Sequence, residues 1–274
     1  MSYRAICTDI DGTLLNSDRQ LSQRTIHTFQ NLPKEVPVIL ASSRMPAAMR
    51  HLQQELNILH HPLICFNGGY VIYAEGGKTE ATQLDSVQIP ATVCQTIHDF
   101  AQGTSLHVSL YAQDNWYVPA FDYWAEREAN NTKVRPQQAE LPRILQSWQQ
   151  TETGAHKVMC MGPADEIDAL QNELTNNFAD QVHAYRSKDT YLEIAPRAIS
   201  KATALELLLK ARFDIDMQEV MAFGDNYNDI DMLQAVGLGI AVGNAREEVK
   251  AIAKDITLKS IEDGVAVAIE KYWQ

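Results

Sequence analysis

Five short apolar runs, at 5–7, 36–41, 63–66, 220–223 and 238–242, constrain the fold of this chain more than any other feature. None of them alternates apolar with polar residues. A strand with one face in water shows that alternation, so unbroken runs of this length predict parallel strands covered on both faces. The covering helices are marked as well. Ser22 can cap a helix carrying Ile26 and Phe29, Ser200 one carrying Leu205, Leu208 and Leu209, and Asn244 one carrying Val249 and Ile252. Alternation of buried strand and amphipathic helix predicts a doubly wound α/β sheet.

The residues at the ends of these runs point to a site. Asp9 and Asp11 come after the first, Ser42 after the second, Asn67 after the third and Asp225 after the fourth. Each alone is an ordinary turn or cap residue. As a set they predict a polar cluster at the carboxyl ends of the strands, where open α/β sheets bind their ligands.

The string DIDGT, Asp9 to Thr13, is the sharpest part of that cluster. Residues i and i+2 of an extended segment share a side, so Asp9 and Asp11 can address one small ligand, and Gly12 permits a sharp turn beneath it. Two such carboxylates suit phosphoryl transfer. One can attack phosphorus, the other can protonate a leaving oxygen and then deprotonate water, and a divalent ion would offset the crowded charge. Far along the chain, MAFGDNYNDIDML runs from a buried strand into a helix and brings Asp225, Asn228 and Asp229. Magnesium needs only one or two carboxylates beside water and substrate phosphate, and Asp9 with Asp225 can supply them.

Composition removes several alternatives. A net charge of -12 over 274 residues argues against nucleic acid or an anionic membrane as the main partner. No apolar stretch approaches the roughly 20 residues that span a bilayer, so the expected setting is the cytoplasm. The cysteines Cys7, Cys65, Cys94 and Cys160 form no C-x-x-C pair, and the sixth position after each holds Thr13, Val71, Phe100 or Glu166 rather than the Arg that a cysteine-dependent phosphatase requires. Gly77, Lys78 and Thr79 resemble the end of a nucleotide P-loop, but Ile72 stands where its first glycine belongs, and the segment reads as a turn.

Between about 84 and 188 the pattern changes. Leu106, Val108 and Leu110 alternate with His107, Ser109 and Tyr111, the period of a strand with one face buried, and helices follow near Pro119 and after Pro163, where Ile167, Leu170 and Leu174 fall in register. This predicts an α+β domain, residues 85–187, inserted into a core made of 1–84 and 188–274. Within it His107, Tyr111, Trp116, Tyr117, Lys157 and Arg186 are types able to stack on or hydrogen-bond a polar leaving group.

Taken together, these segments resemble the haloacid dehalogenase superfamily, specifically its Cof-type branch with a large α+β cap (subclass IIB). DIDGT resembles that family's first motif, Ser42 in LASSR its second, Lys201 in ISKATAL its third and GDNYND its fourth. The resemblance implies a Rossmann-like core with an inserted cap and a magnesium-dependent phosphatase working through an aspartyl phosphate. It implies Asp9 as nucleophile and Asp11 as general acid and base. Magnesium would sit on Asp9, the backbone carbonyl of Asp11 and Asp225, with Asp229 behind them; Ser42 and Lys201 would hold phosphate, and Asn228 would orient phosphate or complete the metal shell. A lysine near a helix N-terminus fits that role, because the dipole there already favours an anion. Two positions depart from the family pattern: Ser42, Ser43 and Arg44 stand for T-G-R, and Ala202 stands for Gly. Asn67, Gly68 and Gly69 resemble its N-G-A segment.

The expected substrate is a small phosphorylated metabolite such as a phosphosugar. A phosphomutase shares all four motifs and differs only in the acceptor of the phosphoryl group. A regulatory protein without turnover would have no chemical need for Asp9, Asp11, Lys201 and Asp225 together. Oligomeric state is open at this level.

Overall fold

A computed structural model of the chain describes residues 3–74 and 81–273, the side chain of Ser187 excepted. Gly77, Lys78 and Thr79, whose sequence reads as a turn, lie outside these residues. The chain divides into two compact units. The first comprises Met1–Arg44, Met49–Asp85 and Ser200–Gln274, the second Met45–Ala48 and Ser86–Ile199.

The first unit is built on an eight-stranded sheet. Its order in space is Asp255–Ile256, Leu238–Ala241, Val220–Gly224, Ala5–Thr8, Val38–Ala41, Leu63–Cys65, Tyr70–Ala74 and Ala81–Ser86. Pairing is parallel from Asp255–Ile256 through Leu63–Cys65 and antiparallel between Leu63–Cys65 and Tyr70–Ala74. The strands that read as unbroken apolar runs are buried along their whole length, as coverage on both faces requires. From Ala5–Thr8 the chain winds outward through Val38–Ala41 and Leu63–Cys65; on its return it starts at Val220–Gly224 and winds the other way. The order therefore reverses between Ala5–Thr8 and Val220–Gly224, where Thr8 lies opposite Phe223. Such a switch point opens a crevice at the carboxyl ends.

Two of the expected helix caps are present: Ser22 accepts a hydrogen bond from the Thr25 amide ahead of Gln23–Gln30, and Ser200 from the Thr203 amide ahead of Lys201–Arg212. The third is not. Glu247–Ile252 starts after Arg246, and the Asn244 side chain is committed elsewhere.

The second unit carries a six-stranded sheet in the order Val182–Lys188, Tyr191–Pro196, Lys157–Met161, His107–Ala112, Asn115–Val118 and Gln137–Gln138. All its pairs are antiparallel except Asn115–Val118 with Gln137–Gln138. One face, carrying Val108, Leu110, Val158, Cys160, Leu192 and Ile194, packs in a single apolar cluster with Val93 and Ile97 of Ala91–Ala101, Leu145 of Leu141–Thr151 and Leu170 of Ala164–Phe178. The junction expected near 188 is corrected here: Val182–Lys188 and Tyr191–Pro196 form a hairpin within this sheet, so the unit runs on to Ile199. Among the described residues no helix is long and apolar enough to cross a membrane.

Candidate active site

Asp9 leaves its strand one residue after Thr8, and its backbone N–H donates to the Phe223 carbonyl at 3.0 Å, which binds the two strand ends together. Asp225 leaves the neighbouring strand immediately after Gly224. The carboxylates of Asp9, Asp225 and Asp229 each offer an oxygen within 4.8 Å of the others. Gly12 makes this approach possible. Its φ is +85°, and a Cβ there would stand 2.5 Å from Asp225 Oδ2.

Lys201 enters from the first turn of its helix and is fully buried. Its Nζ donates to Asp9 Oδ1 at 2.5 Å and to Asp229 Oδ1 at 2.7 Å. Burial disfavours the ammonium, but the two carboxylates outweigh it and hold Lys201 above its usual range, so it stays charged. Asp229 is engaged at its other oxygen too, with Oδ2 accepting from the Asp225 and Asn226 amides at 2.9 and 3.1 Å. It therefore braces the loop that presents Asp225. Asp225 Oδ1 accepts from the Thr13 hydroxyl at 3.1 Å.

One lysine faces three carboxylates, and burial together with the surplus negative charge shows in the titration of Asp9 and Asp225. Burial, reinforced by Asp229 and Asp225, pushes Asp9 above the usual carboxylate range despite Lys201. Burial, with Asp229, pushes Asp225 up to about 6. Asp9 Oδ2 is buried with no hydrogen-bond partner. An orphaned carboxylate oxygen facing two more carboxylates is a donor set that a divalent cation completes, since hard dications take oxygen ligands and neutralise such clusters.

Asp11 behaves differently. It is held in a two-pronged pair by Arg44, Nε to Oδ2 and Nη2 to Oδ1, both at 2.7 Å. Burial works against its charged form, but the Arg44 hydrogen bonds and charge outweigh it and keep the carboxyl below its usual range. Arg44 itself is buried. In the sequence it is only the last letter of a variant motif, and its pairing across 33 positions leaves no local signal. Thr13 gives no local signal as an anchor for the same reason.

Ser42 is buried, and its Oγ accepts from the Arg44 amide at 3.2 Å. Asn228 donates from Nδ2 to Asn67 Oδ1 at 3.0 Å. Asn67 is held at φ 58° in the turn after Leu63–Cys65, with its amide on the Ser42 carbonyl at 2.8 Å, so it links these two residues. Beside Asp11 a cavity of about 380 Å³ is walled by Leu15, Arg19, Asn244, Lys259 and Ile261.

The six candidate residues of the second unit fall on both faces of its sheet. Tyr117 packs on the helix-covered face, edge-on to Trp148, and Arg186 pairs there with Asp168 of Ala164–Phe178. On the opposite face His107 bonds Asp122 through Nδ1 at 2.8 Å and Ser109 through Nε2 at 2.9 Å, while Trp116 Nε1 donates to the same Ser109 hydroxyl at 2.9 Å. Asp122 also caps Tyr123–Thr132 through Oδ1. The order Ser109, His107, Asp122 mimics a nucleophilic triad, but Ser109 is 0% exposed and already engaged, so it is a packing network. Lys157 Nζ lies 4.6 Å from the centre of the Tyr111 ring. Glu193 nearby is pushed up by burial despite Lys157.

Comparison with known proteins adds an independent line. Residues 6–269 match the family model for haloacid dehalogenase-like hydrolases. A phosphatase-named chain from Streptococcus pyogenes serotype M6 is 30% identical, with 99% of each chain covered. The 5-amino-6-(5-phospho-D-ribitylamino)uracil phosphatase of Bacillus subtilis is 26% identical over 98% of this chain and 97% of its own. A solved haloacid dehalogenase-like hydrolase from Bacteroides thetaiotaomicron superposes with a TM-score of 0.87 at 29% identity, covering 98% of this chain and 99% of that one.

Proposed function

The chain belongs to the haloacid dehalogenase-like hydrolases, in their Cof-type branch, and is an enzyme of the phosphatase type; from that premise we propose a magnesium-dependent hydrolysis of small phosphate esters with Asp9 as nucleophile. The observation that carries this reading is the state of Asp9. One of its oxygens is anchored on Lys201 and the other is buried without a partner.

Asp9, Asp225 and the main-chain carbonyl of Asp11 would hold the ion. Bound there, magnesium supplies the charge neutralisation that lets an anionic carboxylate approach an anionic phosphate. Lys201 keeps Asp9 oriented, its charge together with that of a bound cation would favour the ionised carboxylate that attacks, and its ammonium adds positive charge beside the transferring group. The Ser42 hydroxyl donates to a phosphoryl oxygen. Asn228 does the same once its amide turns from Asn67. Attack by Asp9 forms an aspartyl phosphate and expels the leaving oxygen. Asp11 then takes a proton from the water that opens this intermediate; its lowered pKa leaves it ionised for that step, and release from Arg44 would make it the stronger base. To donate a proton to the leaving oxygen in the first step, Asp11 must part from Arg44, which otherwise holds it ionised.

Phosphosugars and related metabolites are the proposed substrates. The Bacillus subtilis relative supports this class, since its name specifies a phosphorylated polyol chain on a heterocycle. The cavity beside Asp11 has room for part of a leaving group, and Arg19 and Lys259 would favour one carrying an anionic substituent. The second unit is proposed to choose among leaving groups.

A panel of phosphorylated metabolites assayed for inorganic phosphate, with magnesium and with excess chelator, tests the reading. Release with metal and none without is expected. Movement of phosphate within a sugar, with no net release, would replace the phosphatase by a mutase.

A further inference from the structure

We propose that Asn244 is a positioning residue for the cation site, acting through the Gly12–Thr13 peptide on Asp225; this rests on the cation reading above. By residue type Asn244 is a helix cap, yet Glu247–Ile252 starts three residues later, after Arg246. Its two amide atoms are spent on distant backbone. Nδ2 donates to the Gly12 carbonyl at 2.7 Å, 232 positions away, and Oδ1 accepts from the Ser260 amide at 2.7 Å. A planar amide held at both ends cannot rotate, so the Gly12 carbonyl is fixed by reference to the 260 loop.

That carbonyl belongs to the same rigid plane as the Thr13 N–H. Thr13 in turn holds Asp225 Oδ1 through its hydroxyl at 3.1 Å, while the α-carbon side of Gly12 lies so close to Asp225 that a Cβ would stand 2.5 Å from Oδ2. Both oxygens of Asp225 are thus bounded by the peptide that Asn244 orients. The neighbouring residues of the same loop grip Asp225 from its other side. The Arg246 amide donates to the Asp225 carbonyl at 3.0 Å, the Val242 amide to the Gly224 carbonyl at 3.2 Å, and Arg246 Nε to Asn226 Oδ1 at 2.8 Å. Segment 242–246 therefore spans the loop after Ala5–Thr8 and the loop after Val220–Gly224, and Asn244 is the side chain through which it reaches the first.

Residues that orient ligands without touching the ion typically cost about 10- to 100-fold in metal affinity when changed. Asn244→Ala removes both bonds. Asn244→Asp keeps the acceptor for Ser260, removes the donor to Gly12 and adds a negative charge near the site. Charge alone would tighten magnesium binding, so weaker binding in Asn244→Asp reports the lost donor. The measurement is calorimetric titration of the full chain with magnesium chloride alone, with circular dichroism to confirm folding. Both variants are expected to bind magnesium about 10-fold or more weakly. Magnesium affinity within twofold of wild type in either folded variant overturns the inference. So does tighter binding in Asn244→Asp, or failure of both variants to fold, which would assign Asn244 to folding. A wild-type chain that takes up no magnesium would overturn the cation reading itself, and this inference with it.

Discussion

At the carboxyl ends of Ala5–Thr8 and Val220–Gly224, Asp9, Asp229 and Lys201 are buried beside a half-buried Asp225, with an oxygen of Asp9 left unmatched. In the antiparallel sheet of the second unit, His107, Ser109, Trp116 and Asp122 are also polar and mostly buried, but their hydrogen bonds close on one another. Both clusters put polar atoms where the hydrophobic effect would prefer carbon. The difference is in what remains unspent. A closed network gives one defined packing, whereas an open one keeps a buried atom at high energy until something completes it. Residue types alone do not separate the two, since a serine, a histidine and an aspartate in line suggest chemistry as readily as a run of aspartates does.

The comparison breaks most sharply at Asp9. Asp9→Asn should lower turnover by roughly 10,000-fold or more, as loss of a nucleophile does, and acid-quench trapping should find no phosphoenzyme; residual activity within a hundredfold of wild type would remove Asp9 as the attacking group. Asp11→Asn comes next, at about 100- to 10,000-fold on alkyl phosphates. With p-nitrophenyl phosphate, whose leaving group needs little protonation, this variant should still be phosphorylated and then stall, visible as a burst of nitrophenol; the absence of a burst would place the defect before phosphorylation.

Asp9 and Asp225 in the first unit and His156 in the second should answer pH with opposite signs. Burial raises Asp9 to about 8 and Asp225 to about 6, so between these values and the ordinary 3.8 the folded chain holds protons that the unfolded chain has lost. That stabilisation of the metal-free core is complete on the acid side and is lost as pH rises through about 6 and 8. His156 in the second unit is buried neutral, with Nδ1 accepting from the Gln113 amide, and burial lowers it from 6.5 to about 4. Its contribution is present above 6.5 and fades as pH falls toward 4. Hydrogen exchange resolved by segment should show protection of the 220–224 strand falling from pH 6 to 8.5 without metal, and protection of the 107–112 strand falling from pH 6.5 to 4.5. The same sign in both strands would dissolve the contrast.

The smallest effect sharpens the other side. Ser109→Ala leaves Trp116 and His107 short of a partner and should cost about 1–3 kcal/mol in a denaturant melt, with kcat on p-nitrophenyl phosphate unchanged within twofold. A large loss of kcat at wild-type stability would mean that the triad-like geometry does chemistry after all.

The core site is legible in the sequence because its signals are local. An apolar run ending in Asp, Ser or Asn shows both the strand and the group at its tip, and i, i+2 spacing shows which groups share a side. Pairing over distance is what escapes: Arg44 with Asp11, Thr13 with Asp225, and Asn244, whose residue type suggests a cap while its partner is Gly12. The late boundary of the second unit escapes because the hairpin of Val182–Lys188 with Tyr191–Pro196 carries polar and aromatic residues on a strand that lacks clean alternation. Burial divides its candidate residues in a way that type cannot. Arg186 and Tyr117 face helices, and His107 and Trp116 are consumed by Ser109.

Thr13 and Asp225 lie 212 positions apart in the chain, yet their side chains touch. A ribosome adding about 5–20 residues per second needs roughly 10–40 s to cover that interval. For all of that time Asp9 and Asp11 exist without Asp225 and for most of it without Lys201, and the strand ahead of them has at most one of its two sheet neighbours. The nascent chain therefore carries an acidic, half-paired strand edge, exposed to chaperones and proteases, until its last quarter is made.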